Sequence, residues 1–208
     1  MEDVLEVYHR PFDPDVPVVC MDEQPVQLTK ETRSPLPMQP EHPERYDYEY
    51  ERNGTACIFM FCEPKVGKRT VCAESHRTMT DWSNQVKRLL DEEYPNAKKV
   101  ILVCDNLNTH QPAALYKTFK PQQARRLLER LEIHHTLKHG SWLNMAQIEL
   151  AALSRQCLDR HIPDLPTLQA EIAAWNAARN HLSHKIDWQF TTTDARTKLK
   201  RLYPVIDD

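Results

Sequence analysis

Asp22 and Asp105 are the residues whose surroundings most suggest chemistry. Asp105 follows the apolar run Val100-Ile101-Leu102-Val103-Cys104, and Asp22 follows Val16-Pro17-Val18-Val19-Cys20-Met21. An uninterrupted apolar run rich in β-branched residues reads as a strand buried on both faces. A carboxylate at the carboxyl end of such a strand stands at the mouth of an open α/β sheet, where sites are usually built. If the two strands are parallel neighbours, the acids emerge together and repel each other unless a cation lies between them. Hard cations such as Mg²⁺ or Mn²⁺ suit such oxygen ligands. A metal pair held by carboxylates activates water and stabilises a leaving oxygen, the usual machinery of phosphodiester chemistry. An Asp-Asn turn after a strand is also ordinary loop chemistry, so these residues alone leave both readings open.

The elements that must position the acids follow from periodicity. Residues 1–15 read as an N-terminal helix or the remnant of a linker, with Val4, Leu5 and Tyr8 on one side and Pro11, Pro14 and Pro17 ending it. After Asp22-Glu23 the prolines Pro35, Pro37, Pro40 and Pro43 predict a long irregular arm that embraces a partner or is merely solvated. Tyr46, Tyr48 and Tyr50 alternate with acids and predict a strand. Asn53-Gly54 predicts a hairpin turn and Thr55–Cys62 its return strand, with a further strand at Arg69–Ser75. Trp82, Val86, Leu89 and Leu90 mark a helix. Beyond the Asp105 strand, helices are expected at Pro112–Phe119 and around Leu127, a short strand at Ile133–Leu137, and a helix from about Trp142 to Arg160. Two more carry Leu168, Ile172 and Trp175, then Ala195, Leu199 and Leu202.

Composition excludes other classes. With 3 glycines in 208 residues there is no glycine-rich phosphate cradle, hence no P-loop or dinucleotide fold. No GxSxG elbow is present. The 6 cysteines form no CxxC pair and sit mostly in apolar runs, as reduced core residues of a cytoplasmic protein would. No apolar run is long enough for a transmembrane helix, so no membrane partner is expected. Residues 1–53 hold 5 Lys+Arg against 13 Asp+Glu, and the remainder 22 against 17. A polyanion partner is therefore permitted rather than implied.

Met21-Asp22-Glu23, Asp105-Asn106-Leu107-Asn108-Thr109-His110 and His139-Gly140-Ser141-Trp142-Leu143-Asn144 together resemble the DDE endonuclease domain of bacterial insertion-sequence transposases related to the mariner superfamily. The resemblance covers nearly the whole chain, with residues 16–208 as the domain. It implies an α/β, ribonuclease-H-like fold: a mixed five-stranded sheet, three strands antiparallel and then two parallel, flanked by helices with extra helices at the C-terminus. It implies that Asp22 and Asp105 are the first two acids of a metal-binding triad for two Mg²⁺ or Mn²⁺ ions. The third acid belongs three residues after Asn144, where this chain has Gln147. An amide keeps the shape but loses the charge, so the chemistry should be impaired. Glu149 is expected on the other side of the helix stripe, unable to share a metal with Gln147. Asn106, His110 and Asn144 are supporting residues of the motifs, and Lys138 and His139 are candidate DNA contacts. The implied partners are DNA, as inverted-repeat ends and a TA-containing target, and a second copy in a homodimer. The implied setting is the bacterial cytoplasm and nucleoid, with the usual upstream helix-turn-helix module lacking.

Three other readings remain. One is a different nuclease on the same sheet. Another is a non-catalytic DNA-binding or assembly protein derived from a transposase, which Gln147 favours. The third is a zinc site from Cys157, His161, His181 and His184.

Overall fold

The structure is a computed structural model that describes residues 1–32, 38–40, 49–138 and 140–203. The elements run α1 (Glu2–His9), β1 (Val18–Glu31), β2 (Tyr50–Glu63), β3 (Lys68–Glu74), α2 (Met79–Arg88), β4 (Val100–Cys104), α3 (Pro112–Thr118), α4 (Pro121–Glu129), β5 (Leu131–His135), α5 (Ala146–Gln156), α6 (Leu165–Leu182) and α7 (Thr192–Lys198). They form one five-stranded sheet in the order β3-β2-β1-β4-β5. The first three strands are antiparallel, and β4 and β5 run parallel to β1. This is the mixed sheet the sequence implies. No described helix is long and apolar enough to cross a membrane.

Each face of the sheet covers a core. Cys20, Ile101 and Val103 face α1, α5 and α6, while Val19, Met21, Val100, Leu102 and Cys104 face α2, α3 and α4. That is why Val100–Cys104 is apolar at every position: alternate residues of a central strand enter different cores. α1 has only 8 residues, too few to stand alone, yet Val4, Leu5, Val7 and Tyr8 are all buried. Its helicity comes from that packing. Tyr8 Oη also donates to the Leu143 carbonyl at 2.6 Å, which ties α1 to the approach to α5.

Three local expectations need correction. Asn53-Gly54 is not a hairpin turn. β2 runs straight through it, and the partner of β2 is β1, which extends to Glu31 where a polar connection is expected. Between the pairs Gln27↔Thr55 and Thr29↔Arg52, one residue of β1 faces two of β2. Asn53-Gly54 is therefore a β-bulge, with Gly54 at φ +94° supplying the left-handed backbone. Local turn chemistry was overridden by a longer ladder. Pro25 is tolerated inside β1 because β4 pairs only with residues up to Cys20, leaving that half of β1 as an edge. Finally, the helix expected from Trp142 begins at Ala146, after a 3₁₀ turn at Ser141–Leu143, and ends at Gln156. Asn144 Oδ1 accepts the Ala146 N–H at 3.1 Å and holds the helix start there. Pro35, Pro37, Pro43, Tyr46 and Tyr48 lie outside the described residues.

α6 closes the β3 edge. Asn180 accepts from the Arg69 N–H at 2.7 Å and donates to the Arg69 carbonyl at 2.8 Å, imitating a neighbouring strand. The Arg69 guanidinium donates to the Gly67 and His184 carbonyls. It also pairs at 2.7 Å with Glu149, which Arg179 approaches at 3.1 Å. The side chains of Arg69 and Glu149 are both 1% exposed. Burial would raise the Glu149 carboxyl, but the two arginines hold it below its ordinary 4.5. A carboxyl lowered by folding stabilises fully above its unfolded value and loses that contribution as pH falls through the folded one. Glu149→Gln leaves buried guanidinium charge uncompensated. It should lower the unfolding free energy by about 3–5 kcal/mol at neutral pH, and the deficit should shrink below pH 4.5; urea titrations at several pH values measure both.

The β2–β3 turn packs on the C-terminus of α6. A Cβ on Gly67 (φ +80°) would stand 2.5 Å from the Ser183 carbonyl oxygen and 2.8 Å from that of His184, whereas one on Gly54 meets nothing within 4 Å. Gly67→Ala should therefore destabilise by about 1–3 kcal/mol or more and Gly54→Ala by only its backbone strain, about 1–2 kcal/mol. Thermal unfolding of both variants checks the order.

Candidate active site

The parallel pairing of β1 with β4 ends at Cys20↔Val103. Continuing that register by two residues on each strand sets Asp22 opposite Asp105. By strand alternation Asp22 shares the α5 face with Cys20. Asp22 is 6% exposed. Its Oδ1 accepts the Glu23 N–H at 2.8 Å, and its Oδ2 accepts from Asn144 Nδ2 at 3.2 Å and Gln147 Nε2 at 2.5 Å. Burial raises the Asp22 carboxyl above its usual range; the Glu23 N–H and the Gln147 amide oppose the rise, and the Asp105 carboxylate adds to it. Asp22 and Gln147 are thus in direct contact, and Asp105 lies near enough for its charge to help raise the Asp22 carboxyl.

Asn144 fixes this arrangement. Its Nδ2 also donates to the Met21 carbonyl at 2.7 Å, so one amide joins β1 to the start of α5. Gln147 then lies on the first turn of α5, on the side facing Asp22. Glu149 is on the opposite side of the helix, held by Arg69 and Arg179 in the core.

Asp105 has a side chain that is 32% exposed, and His110 Nδ1 stands 2.5 Å from its Oδ1. The His110 ring is directed at the Asp105 carbonyl at 3.4 Å, which leaves Oδ1 buried with no aligned hydrogen bond. The other ring nitrogen, Nε2, meets Glu23 Oε1 at 3.0 Å. Burial would lower the His110 pKa, but its bonds to Asp105, Cys104 and Glu23 push it up to about 12. The ring lies between two carboxylates, with Nε2 on Glu23 and Nδ1 beside Asp105, and both favour its protonated form. Trp82 stacks on it, with centroids 5.5 Å apart.

The remaining candidates fall elsewhere. Asn106 accepts from Gln111 at 3.0 Å within its own loop. Lys138 is exposed in the turn after β5, and His139 lies outside the described residues. His161 is paired with Glu31 at 2.7 Å. Among the described residues no three His, Cys, Asp or Glu side chains form a group able to hold a metal ion, the zinc candidates included. Sequence reasoning missed Glu23 as the partner of His110, and missed Trp82 and the Arg69–Glu149–Arg179 network. Glu23 was adjacent to a recognised acid, but nothing local points to a histidine 87 residues away.

A divalent cation fits the donor set in part. Asp22 and Asp105 offer hard oxygen ligands, and the repulsion by Asp105 that adds to the rise of the Asp22 carboxyl is what a cation would relieve. Gln147 adds no charge, and its amide presents N–H to Asp22; ligation through its oxygen requires the amide to turn over.

Residues 17–169 match the family described as DDE superfamily endonuclease. No curated protein matches the chain. Among solved structures, the chain is similar to the Mos1 mariner paired end complex with Mn, with 18% identity and a TM-score of 0.56 over 85% of this chain and 52% of that one. It is also similar to the catalytic domain of Mos1 mariner transposase, with 14% identity and a TM-score of 0.53 over 85% of this chain and 77% of that one. The chain thus spans about half the length of the transposase in the paired end complex. These likenesses establish the ribonuclease-H-like fold. With the match over residues 17–169, they show that the chain belongs to the DDE superfamily endonucleases.

Proposed function

We propose that this chain is the catalytic domain of a DNA transposase, built to cut and join DNA ends and weakened by Gln147. The observation that carries the reading is the contact of Gln147 on α5 with Asp22 on β1, with the charge of Asp105, just past β4, acting on Asp22. Mg²⁺ or Mn²⁺ suits the oxygen ligands, and two such ions would supply an activated water or 3′-hydroxyl and a stabilised leaving oxygen. Asp22 and Asp105 hold the metal. Asn144 keeps Asp22 turned toward α5, and His110 keeps Asp105 at the sheet mouth. The buried floor of Asp22 excludes water from one side of the site. Lys138, exposed in the turn after β5, and His139, next to it in sequence, are the proposed contacts to DNA phosphates. Inverted-repeat ends, a TA-containing target, a homodimer and bacterial cytoplasmic residence complete the proposal, with residues 16–208 as the endonuclease and residues 1–15 as its N-terminal extension.

A second reading, a non-catalytic DNA-binding or assembly protein derived from a transposase, is favoured by one contact. Gln147 Nε2 donates to Asp22 Oδ2, occupying a lone pair that a metal would use. Gln147→Glu separates the two. In the first reading it raises Mn²⁺-dependent nicking of plasmid DNA by about 100-fold or more, because metal-held charge is worth several kcal/mol in the transition state. Asp22→Asn or Asp105→Asn should abolish the gain. A Gln147→Glu protein that binds DNA without cutting it would establish the second reading. Cleavage of RNA–DNA hybrid in preference to duplex DNA would indicate a different nuclease on this sheet.

A further inference from the structure

Asp22 and Glu23 are consecutive in β1, so their side chains leave opposite faces of the sheet. Asp22 faces α5. Glu23 shares its face with Val19 and Met21, which pack in the core under α2 and α3. A carboxylate there is expensive to bury unless paired. The Glu23 side chain is 3% exposed and its Oε1 meets His110, while its Oε2 has no hydrogen-bond partner among the described residues. An apolar residue would pack at this position without that penalty.

The geometry gives the carboxylate a task. Trp82 stacking fixes the plane of the His110 ring but permits a half-turn about Cβ–Cγ, which would put carbon where Nδ1 and Nε2 stand. The Glu23 bond at Nε2 removes that freedom and so fixes where Nδ1 stands, 2.5 Å from Asp105 Oδ1. The Glu23 backbone N–H meanwhile donates to Asp22 Oδ1 at 2.8 Å. One residue therefore touches the first acid through its backbone and reaches the second through an imidazole.

We infer that Glu23 is a positioning residue for the acid pair: through His110 it sets the orientation in which Asp105 meets a divalent cation. This rests on reading Asp22 and Asp105 as cation ligands. With Oδ1 turned to His110, Oδ2 of Asp105 is left for the ion. Outer groups that orient a ligand typically change metal affinity by about 10–100-fold when removed.

The test is Mn²⁺ binding to the full chain and to its Gln147→Glu form, read as free Mn²⁺ by electron paramagnetic resonance, with thermal unfolding followed in parallel. Glu23→Ala should raise the Mn²⁺ dissociation constant about 10–100-fold, while Glu23→Gln, whose carbonyl still accepts from His110, recovers most of the affinity. If Glu23→Ala does not fold, Glu23→Asp replaces it. The shorter side chain withdraws from His110, so weakened binding in the folded variant supports the inference and unchanged binding overturns it. A folded Glu23→Ala protein that binds Mn²⁺ like the parent, while Asp105→Asn does not, reduces Glu23 to a staple between β1 and the loop after β4. If Asp22→Asn and Asp105→Asn themselves bind Mn²⁺ undiminished, the cation reading of the pair falls, and this inference falls with it.

Discussion

Two carboxylates placed just beyond the last pairing of adjoining parallel strands repel each other, and the surrounding structure is arranged around that repulsion. Asp22 is buried beneath α5 and its carboxyl is raised, in part by Asp105. The fold answers with donors. The Glu23 N–H, Asn144 and Gln147 reach Asp22, and the His110 ring faces Asp105. Charge is nonetheless incompletely balanced, because His110 also serves Glu23, a third carboxylate on the far side of the sheet. A site that collects negative charge faster than its own cations neutralise it is suited to recruit an external one.

The placement of α5 decides whether the acids meet anything. Its start is fastened to β1 by Asn144 and, through the Leu143 carbonyl, to α1 by Tyr8. Its far side is fastened by Glu149 to Arg69 on β3 and Arg179 on α6. Gln147 and Glu149 thus divide the helix between function and architecture. The first faces the acids, and the second is enclosed by arginines that leave it no freedom to move. The apolar residues of α1 and α6 share one core with those of α5.

Where sequence and structure diverge, the cause is long-range pairing. Asn53-Gly54 has the local chemistry of a hairpin turn, but eleven register pairs between β1 and β2 carry the strand through it, and the glycine is spent on a bulge. The long polar connection expected after Glu23 is strand as far as Glu31, because an antiparallel partner on one side suffices to make one. The start of α5 was misplaced because Trp142 and Leu143 fit its apolar stripe. Asn144 instead uses its side chain on β1 and on the Ala146 N–H, a contact across 123 residues that no local window contains.

The sequence by itself determined the strands carrying the two acids, the amphipathic helices and the spacing that puts Gln147 where a third acid belongs. Those features are written in apolar periodicity and in short motifs, which act over a few residues. Tertiary structure alone decided the partners. Asp22 feels the charge of Asp105 because β1 and β4 are parallel neighbours, and Glu23 meets His110 because strand alternation sends it through the sheet to a loop 87 residues away. Glu149 becomes a core ion pair because α6 returns over β3. Electrostatic contacts depend on distance in space, and periodicity fixes which face a side chain takes but not which charge waits there.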